Sequence, residues 1–291
     1  MSQNKRLASG GRIDRKKVIN FSFDGKSYKG FEGDTLASAL LANGVDIIAR
    51  SFKYSRPRGI NGHGSEEPNG VIQLGTGAST IPNVRATQQE LYAGLVAAPV
   101  AGWPSVNFDV MATLGKAGAM MPPGFYYKTF MYPQKLWMTY EHFIRKAAGL
   151  GKAPTAPDPD TYDKINHHCD VMIVGAGPAG LSAALAAAKT GARVIIADEQ
   201  NEMGGSLLSS TQLINGSAAS VWVKDTLEAL EDYSNVIVLP RSTVMGYYDH
   251  NFLAVIERRT DHLGEISPRG ARQRMHRVRA KQVVLAPGAQ E

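Results

Sequence analysis

The sequence predicts an α+β domain of the β-grasp, or ferredoxin-like, kind, followed by an α/β Rossmann-type FAD/NAD(P)-binding domain that is truncated. Three observations support this prediction. Near the N-terminus, two alternating strands flank the two-residue turn Asp24-Gly25, and a short helix follows. Residues 171–189 read as an apolar strand, a glycine-rich turn and an alanine-rich helix. Between these parts, three prolines at 154–159 mark a linker.

Composition narrows the functional classes. The chain has 291 residues, 43% of them hydrophobic, with a net charge of +6, and this length suits about two domains. The basic residues gather in an N-terminal arm and around 269–281, and aromatic residues do not interleave with either cluster. From Arg277 to Lys281 they alternate with apolar residues, which is typical of a strand with one solvated face. We therefore expect a solvated or partner-binding face and no nucleic acid.

The cysteine content and the apolar stretches argue against a disulfide-bonded, metal-binding, secreted or membrane protein. The single cysteine, Cys169, rules out an internal disulfide. It lies in the run His167-His168-Cys169-Asp170, whose side chains would diverge along a strand, so we interpret the run as structural and predict no metal site. The N-terminus has no secretory signal, and the uncharged stretches at 91–108 and 171–188 are interrupted by proline or glycine. We expect a soluble, cytoplasmic protein without a membrane partner.

The sequence predicts that residues 1–165 consist of three sections. Residues 1–17 form a basic arm, and residues 18–96 form the ferredoxin-like domain, whose helix at 35–43 ends before Gly44. Residues 97–165 are a connecting segment and linker, rich in aromatic residues and methionine. Two interpretations of its segment Met120–Pro133 and the helix that follows stay open: packing between domains, or docking of another subunit.

The glycine fingerprint predicts the binding site in residues 166–291. Gly175 permits the tight turn, Gly177 lets the backbone approach a pyrophosphate, and Gly180 packs the helix against the strand. With Pro178 and Ala179 they surround the positive end of a helix, where phosphates are stabilised.

Further site residues follow along the chain. An acidic pair, Asp198 and Glu199, begins 18 positions after Gly180 and suits the ribose of an adenine nucleotide. A second glycine turn at Gly205 and Ser206 can approach the same cofactor. The motif by itself does not separate NAD from FAD.

At this point the residues carry a family resemblance. FEGDTLASALLANGV, SFKYSRPRGINGHGSEEPN and NVRATQQELYAGL, with WPSVNFD and AGAMMPPGFYYKTFM, resemble the alpha subunits of heterotetrameric sarcosine oxidases. In similar flavoproteins, a position like Val244 holds the adenine ring through its backbone, and Gly288 belongs to a second glycine signature. Cluster-bearing relatives have cysteines where this chain has Ser55 and Thr87, so the resemblance implies a ferredoxin-like fold without an iron–sulfur cluster.

The resemblance also implies a function. The intact enzyme would demethylate sarcosine oxidatively to glycine, reduce O2 to H2O2 and pass the one-carbon unit to tetrahydrofolate. The alpha subunit would hold NAD, and it would assemble with beta, gamma and delta subunits that bring FAD and, at an interface, FMN. No residue of this chain would be catalytic, and we expect the dinucleotide domain to be incomplete at its C-terminal end.

Two alternatives stay open. One is an FAD-binding alpha-type subunit of an opine, proline or cyanide-forming amine dehydrogenase, which the absent cluster cysteines disfavour. The other is a non-catalytic docking scaffold.

Overall fold

The protein forms two compact units, Met1–Pro159 and Asp160–Glu291. The computed structural model describes residues 3–51, 54–116, 132–147, 149–264 and 270–289. Each unit has its own sheet and its own hydrophobic core, so each is described by itself.

The first unit has a β-grasp sheet. Its elements, in chain order, are β1 Asp14–Phe23, β2 Lys26–Glu32, α1 Leu36–Ala42, β3 Ala49–Arg50, β4 Pro57–Arg58, β5 Val71–Leu74, β6 Ile81–Arg85, β7 Val96–Pro99, α2 Met111–Lys116 and α3 Trp137–Ala147. The five-stranded sheet has the order β2-β1-β7-β5-β6, and β3 pairs separately with β4. Strands β1 and β7 are parallel, while β1 with β2 and β5 with both its neighbours are antiparallel.

Local chemistry explains the predicted hairpin and helix. Asp24 and Gly25 both have positive φ, at 50° and 72°, which a tight hairpin turn requires. Helix α1 begins with a capping box, in which the Thr35 hydroxyl accepts from Ser38 N and the Ser38 hydroxyl accepts from Thr35 N. Gly44, at φ 76°, follows its last turn. The strand, turn and helix predicted for this region are confirmed.

The core of the first unit lies between the sheet and α1. It is built from alternate residues of β1, the apolar face of the helix and the strands that follow, including Phe21, Phe23, Leu36, Leu40, Ile48, Ile72 and Leu95. These side chains point to one face because the side-chain period is two in a strand and about 3.6 in a helix.

The N-terminal arm is attached to this domain by a buried ion pair. Asp34 is 2% exposed, and Arg6 reaches it with two hydrogen bonds of 3.0 and 2.7 Å. Phe31 N and the Ser38 hydroxyl also donate to the same carboxylate. The Arg6 guanidinium lies over the Phe31 ring, 5.1 Å from its centroid. Residues near the start of the predicted arm therefore pack on the domain.

Another buried carboxylate organises the loop between β4 and β5. Glu67 is fully buried, and one of its oxygens accepts from Asn61 N at 2.6 Å and Gly62 N at 2.5 Å. The other accepts from Asn69 N at 2.6 Å and Gly70 N at 2.9 Å. Burial raises the pKa of a carboxyl group, but these four donors stabilise the anion more, so the pKa of Glu67 lies below its ordinary value.

The last part of the first unit exposes much apolar surface. Trp103 and Phe108 are each 69% exposed, and Phe143 on α3 is 65% exposed. Most of the predicted docking segment Met120–Pro133 lies outside the described residues. The choice between packing and docking stays open for that segment.

The second unit is an α/β unit with a mixed sheet. Its elements are β8 Tyr162–Val174, α4 Pro178–Ala188, β9 Val194–Ala197, β10 Leu213–Ile214, β11 Ser217–Ala218, α5 Ala219–Glu231, β12 Val236–Leu239, β13 Ser242–Tyr248, β14 Phe252–Arg258 and β15 Gln273–Leu285. The six-stranded sheet has the order β12-β9-β8-β15-β14-β13. The first four of these strands are parallel, and β14 and β13 are antiparallel additions.

Two cores lie on opposite faces of this sheet. On one face, α4 and α5 cover the parallel strands through side chains such as Leu181, Ala184, Val223 and Leu230. On the other face, Met172, Ile195 and Leu239 pack with Leu253 and Val278. The parallel strands are buried on both sides, as α/β sheets require, and their carboxyl ends meet at one edge.

Candidate dinucleotide-binding site

The glycine loop joins β8 to α4 and is shaped by close backbone contacts. Gly175 has a φ of 95°, and a Cβ atom there would lie 2.2 Å from Ala286 O. At Gly180 a Cβ atom would lie 1.9 Å from Gly175 O. Both positions therefore require glycine. Gly175 does so because of its positive φ and the close approach of Ala286 after β15, and Gly180 because α4 packs directly on the loop.

Gly177 requires a different explanation, because no described residue fills the space beside it. Its φ of −71° suits any residue, and an added Cβ would meet no atom within 4 Å. The open space lies at the N-terminus of α4, where Gly177 is the N-cap and no side chain caps the helix. Pro178 occupies the first turn, which has no acidic residue, and the N–H of Ala179 lies in the same turn. A positive helix end beside open space fits a pyrophosphate.

Asp198 fixes the glycine loop from the end of β9. One of its carboxylate oxygens accepts from Ala176 N at 2.6 Å, and the other accepts from Gln200 N at 2.9 Å. Glu199 is half-buried, and its carbonyl accepts from Arg258 Nη2 at 2.6 Å. The structure thus gives Asp198 a loop-positioning role in addition to the predicted ribose contact, which stays a prediction.

The second glycine turn packs against the first. Gly204, at φ 129°, donates from its N–H to Ala176 O at 2.9 Å. A Cβ atom at Gly205 would lie 3.0 Å from Gly177 Cα. Gly205 and Ser206 are exposed beside the loop, which is where the sequence predicts an approach to the cofactor.

The remaining predicted residues converge on the same edge. Ser242 N donates to Asp198 O at 2.7 Å, which brings the start of β13, with half-buried Val244, beside the end of β9. Ala286 N donates to Val174 O at 2.8 Å, and exposed Gly288 follows at φ 76°. The predicted positions form one cluster at the carboxyl ends of β8, β9 and β15, although their contacts with a ligand stay predictions.

Sequence reasoning missed a histidine pair away from this edge. His167 Nε2 lies 3.0 Å from His276 Nδ1, and His276 Nε2 lies 3.0 Å from Glu257 Oε2. Burial lowers the pKa of His167, as do the neighbouring His276 and Arg274. The pair joins β8 to β15 across 109 positions, so only the strand register could have revealed it.

The described residues form an open glycine loop at the N-terminus of α4, an arrangement that can accept a phosphate group. They contain no group of three or more His, Cys, Asp or Glu placed to hold a metal ion. Cys169 is buried, and burial raises the pKa of its thiol to about 11, which leaves the thiol unreactive at neutral pH. No helix among the described residues is long and apolar enough to cross a membrane.

Two family models match parts of the chain. Residues 16–101 match a 2Fe–2S iron–sulfur cluster binding domain, and residues 170–280 match an FAD dependent oxidoreductase family. The fold prediction, a ferredoxin-like domain followed by a Rossmann-type domain, is thereby confirmed.

The same matches overturn the cofactor prediction. We predicted NAD in the second part and no iron–sulfur cluster in the first, whereas the first part matches a cluster-binding family and the second an FAD family. Plant-type clusters are held by cysteine thiolates. Residues 16–101 contain no cysteine, so the donor set present does not fit a cluster, and no step of the proposed function passes through one.

The similar proteins agree with one another. The sarcosine oxidase subunit alpha of Rhizobium meliloti is 49% identical over 98% of this chain, and that of Corynebacterium sp. strain P-1 is 36% identical over 96%. The chain spans 29% and 25% of the lengths of these relatives. Among solved structures, L-proline dehydrogenase from P. horikoshii matches 95% of this chain, and this chain covers 42% of that one. Its TM-score is 0.56 at 18% identity, which shows the fold alone.

Proposed function

We propose that this chain, which is homologous over 98% of its length to a sarcosine oxidase alpha subunit, acts within a multisubunit sarcosine-oxidising enzyme and binds FAD in its second unit. The 49% identity over 98% of the chain is the observation that carries the proposal. For the complete enzyme we propose oxidative demethylation of sarcosine to glycine, with O2 reduced to H2O2 and the one-carbon unit passed to tetrahydrofolate.

The glycine loop supports the choice of a dinucleotide. The space beside Gly177 would be filled by a Cβ atom of any other residue, and the uncapped start of α4 offers main-chain donors to an anion. Gly177, Pro178, Ala179 and Gly180 would hold the pyrophosphate. When bound, FAD would supply an electron acceptor for the oxidation of an amine.

The other residues of the site position this cradle. Asp198 holds Ala176, and therefore the loop, at the end of β9. The N–H of Gly204 donates to the carbonyl oxygen of Ala176 and so holds this residue from the second glycine turn. Two independent hydrogen bonds thus fix the middle of the glycine loop before a ligand arrives, which lowers the ordering cost of binding. We assign no catalytic acid, base or nucleophile to this chain.

The test is reconstitution of the full-length subunit with its companion subunits. We expect sarcosine-dependent O2 consumption and peroxide formation, with glycine as the amino acid product and tetrahydrofolate as the one-carbon acceptor. A complex that assembles, contains flavin and does not oxidise sarcosine would refute the substrate assignment. A complex that assembles without flavin would refute the FAD assignment and leave a docking scaffold.

A further inference from the structure

The second unit presents a cationic sheet surface that the proposed FAD site does not use. From Tyr162 to His168, the residues of β8 alternate between exposed and half-buried positions. The register pairs Met275 with Lys164, Arg277 with Asn166 and Arg279 with His168. These side chains, together with Ile256 on β14 opposite Met275, share one side of the sheet. We call this surface the basic face, and its members are Lys164, Asn166, His168, Ile256, Met275, Arg277 and Arg279.

Acidic side chains of the same strands lie elsewhere or are already bound. Asp163 and Glu257 belong to the opposite side, where they bind Arg274 and His276. Asp170, two positions after His168 on β8, is bound by both Arg193 and Lys281. Within the described parts of β8, β14 and β15, the basic face therefore has cations without carboxylates.

Among the described residues of the second unit, no carboxylate neutralises the three cations of the basic face. Lys164 forms no ion pair with a described residue, and Arg277 Nε is buried without a hydrogen-bond partner there. Arg279 donates to the carbonyls of Asp249 and His250 and lies over the Phe252 ring, 5.1 Å from its centroid. Carbonyl and ring contacts orient this guanidinium but leave its charge uncompensated.

We propose that the basic face binds a companion subunit through a carboxylate-bearing protein surface. The identity of the partner rests on the proposed function, which places the chain in a multisubunit enzyme. Charge complementarity is the first argument, because unpaired cations held on a rigid sheet attract and orient an acidic surface. The second is the apolar floor, since half-buried Ile256 and Met275 match the mixed composition of protein interfaces.

The test measures assembly of the full-length subunit with its companion subunits by titration at several salt concentrations. We compare Lys164→Glu/Arg279→Glu with the control Lys189→Glu/Lys224→Glu, which reverses one exposed charge just after α4 and one on α5, both outside the basic face. The basic-face variant is expected to bind about tenfold more weakly or worse, and wild-type affinity to fall with salt. The control should bind like the wild type.

Measurements of affinity, of folding and of sarcosine oxidation distinguish the possible outcomes. Unchanged affinity in the basic-face variant overturns the proposal, and so does an oligonucleotide or a second copy of the chain binding this face in place of a subunit. Flavin content and melting temperature show that the variant is folded, and Lys164→Gln/Arg279→Gln, with a smaller expected loss, serves if charge reversal unfolds it. If the basic-face variant assembles more weakly but the assembled wild-type enzyme does not oxidise sarcosine, the subunit-binding proposal stands. Only the assignment of sarcosine as the substrate is then refuted.

Discussion

Replacing Gly177 by alanine separates ligand binding from folding at the glycine loop. The new methyl group meets no atom of a described residue within 4 Å, and the φ of −71° suits alanine. We therefore expect the free energy of unfolding of the ligand-free protein to change by less than about 1 kcal/mol. The methyl group would, however, keep a phosphate from a main-chain donor, and a hydrogen bond to a charged group contributes about 1.5–3 kcal/mol. FAD should bind roughly 10- to 150-fold more weakly.

Gly180 provides the matched control within the same loop. A methyl group there would lie 1.9 Å from Gly175 O, so the helix and the loop must separate, at a cost of about 1–3 kcal/mol or more. Thermal unfolding of the ligand-free variants and FAD titration would give both quantities. Wild-type FAD affinity in Gly177→Ala would refute the pyrophosphate assignment. Wild-type stability in Gly180→Ala would refute the packing argument.

Three further predictions concern single side chains. Glu67→Gln leaves two of four main-chain donors without an acceptor and should destabilise the first unit by about 2–4 kcal/mol. The folded pKa of Glu67 lies below its ordinary 4.5, so the wild type should lose this stability only as pH falls below about 4.5. The free energy of unfolding, measured against pH, should therefore fall less steeply at acid pH in the variant than in the wild type. Cys169, with a pKa of about 11, should have roughly one thiol in a thousand ionised at pH 8; a thiol reagent should label it only after denaturation, and rapid labelling of folded protein would contradict its burial. Asp198→Asn keeps one of the two carboxylate acceptors that hold Ala176 and Gln200 and should weaken FAD binding about tenfold; unchanged affinity in a titration would show that the loop does not depend on this clamp.

Features encoded in short segments could be predicted from the sequence. The Asp24-Gly25 turn, the Thr35 cap and the three glycines of the loop each depend on neighbours a few positions away. Contacts across the sheet could not be predicted, because Arg6 with Asp34 or His167 with His276 requires the register of distant strands. The second role of Asp198 was missed for the same reason, since its partner Ala176 lies 22 positions earlier.

The cofactor could not be predicted from the glycine motif. The motif contacts the adenine dinucleotide half that NAD and FAD share, so the loop alone does not distinguish them. The iron–sulfur prediction failed for another reason. It was argued from the absent cysteines, whereas residues 16–101 match a 2Fe–2S cluster binding domain without them.

The nucleotide that the full-length subunit carries tests the central claim most directly. The protein would be purified, denatured, and the released nucleotide identified by mass and quantified by flavin absorbance, with Gly177→Ala measured beside it. We predict FAD close to one per chain in the wild type and much less in Gly177→Ala. A wild-type subunit that releases no flavin, or a Gly177→Ala variant that retains it in full, would contradict the FAD site proposed for the second unit.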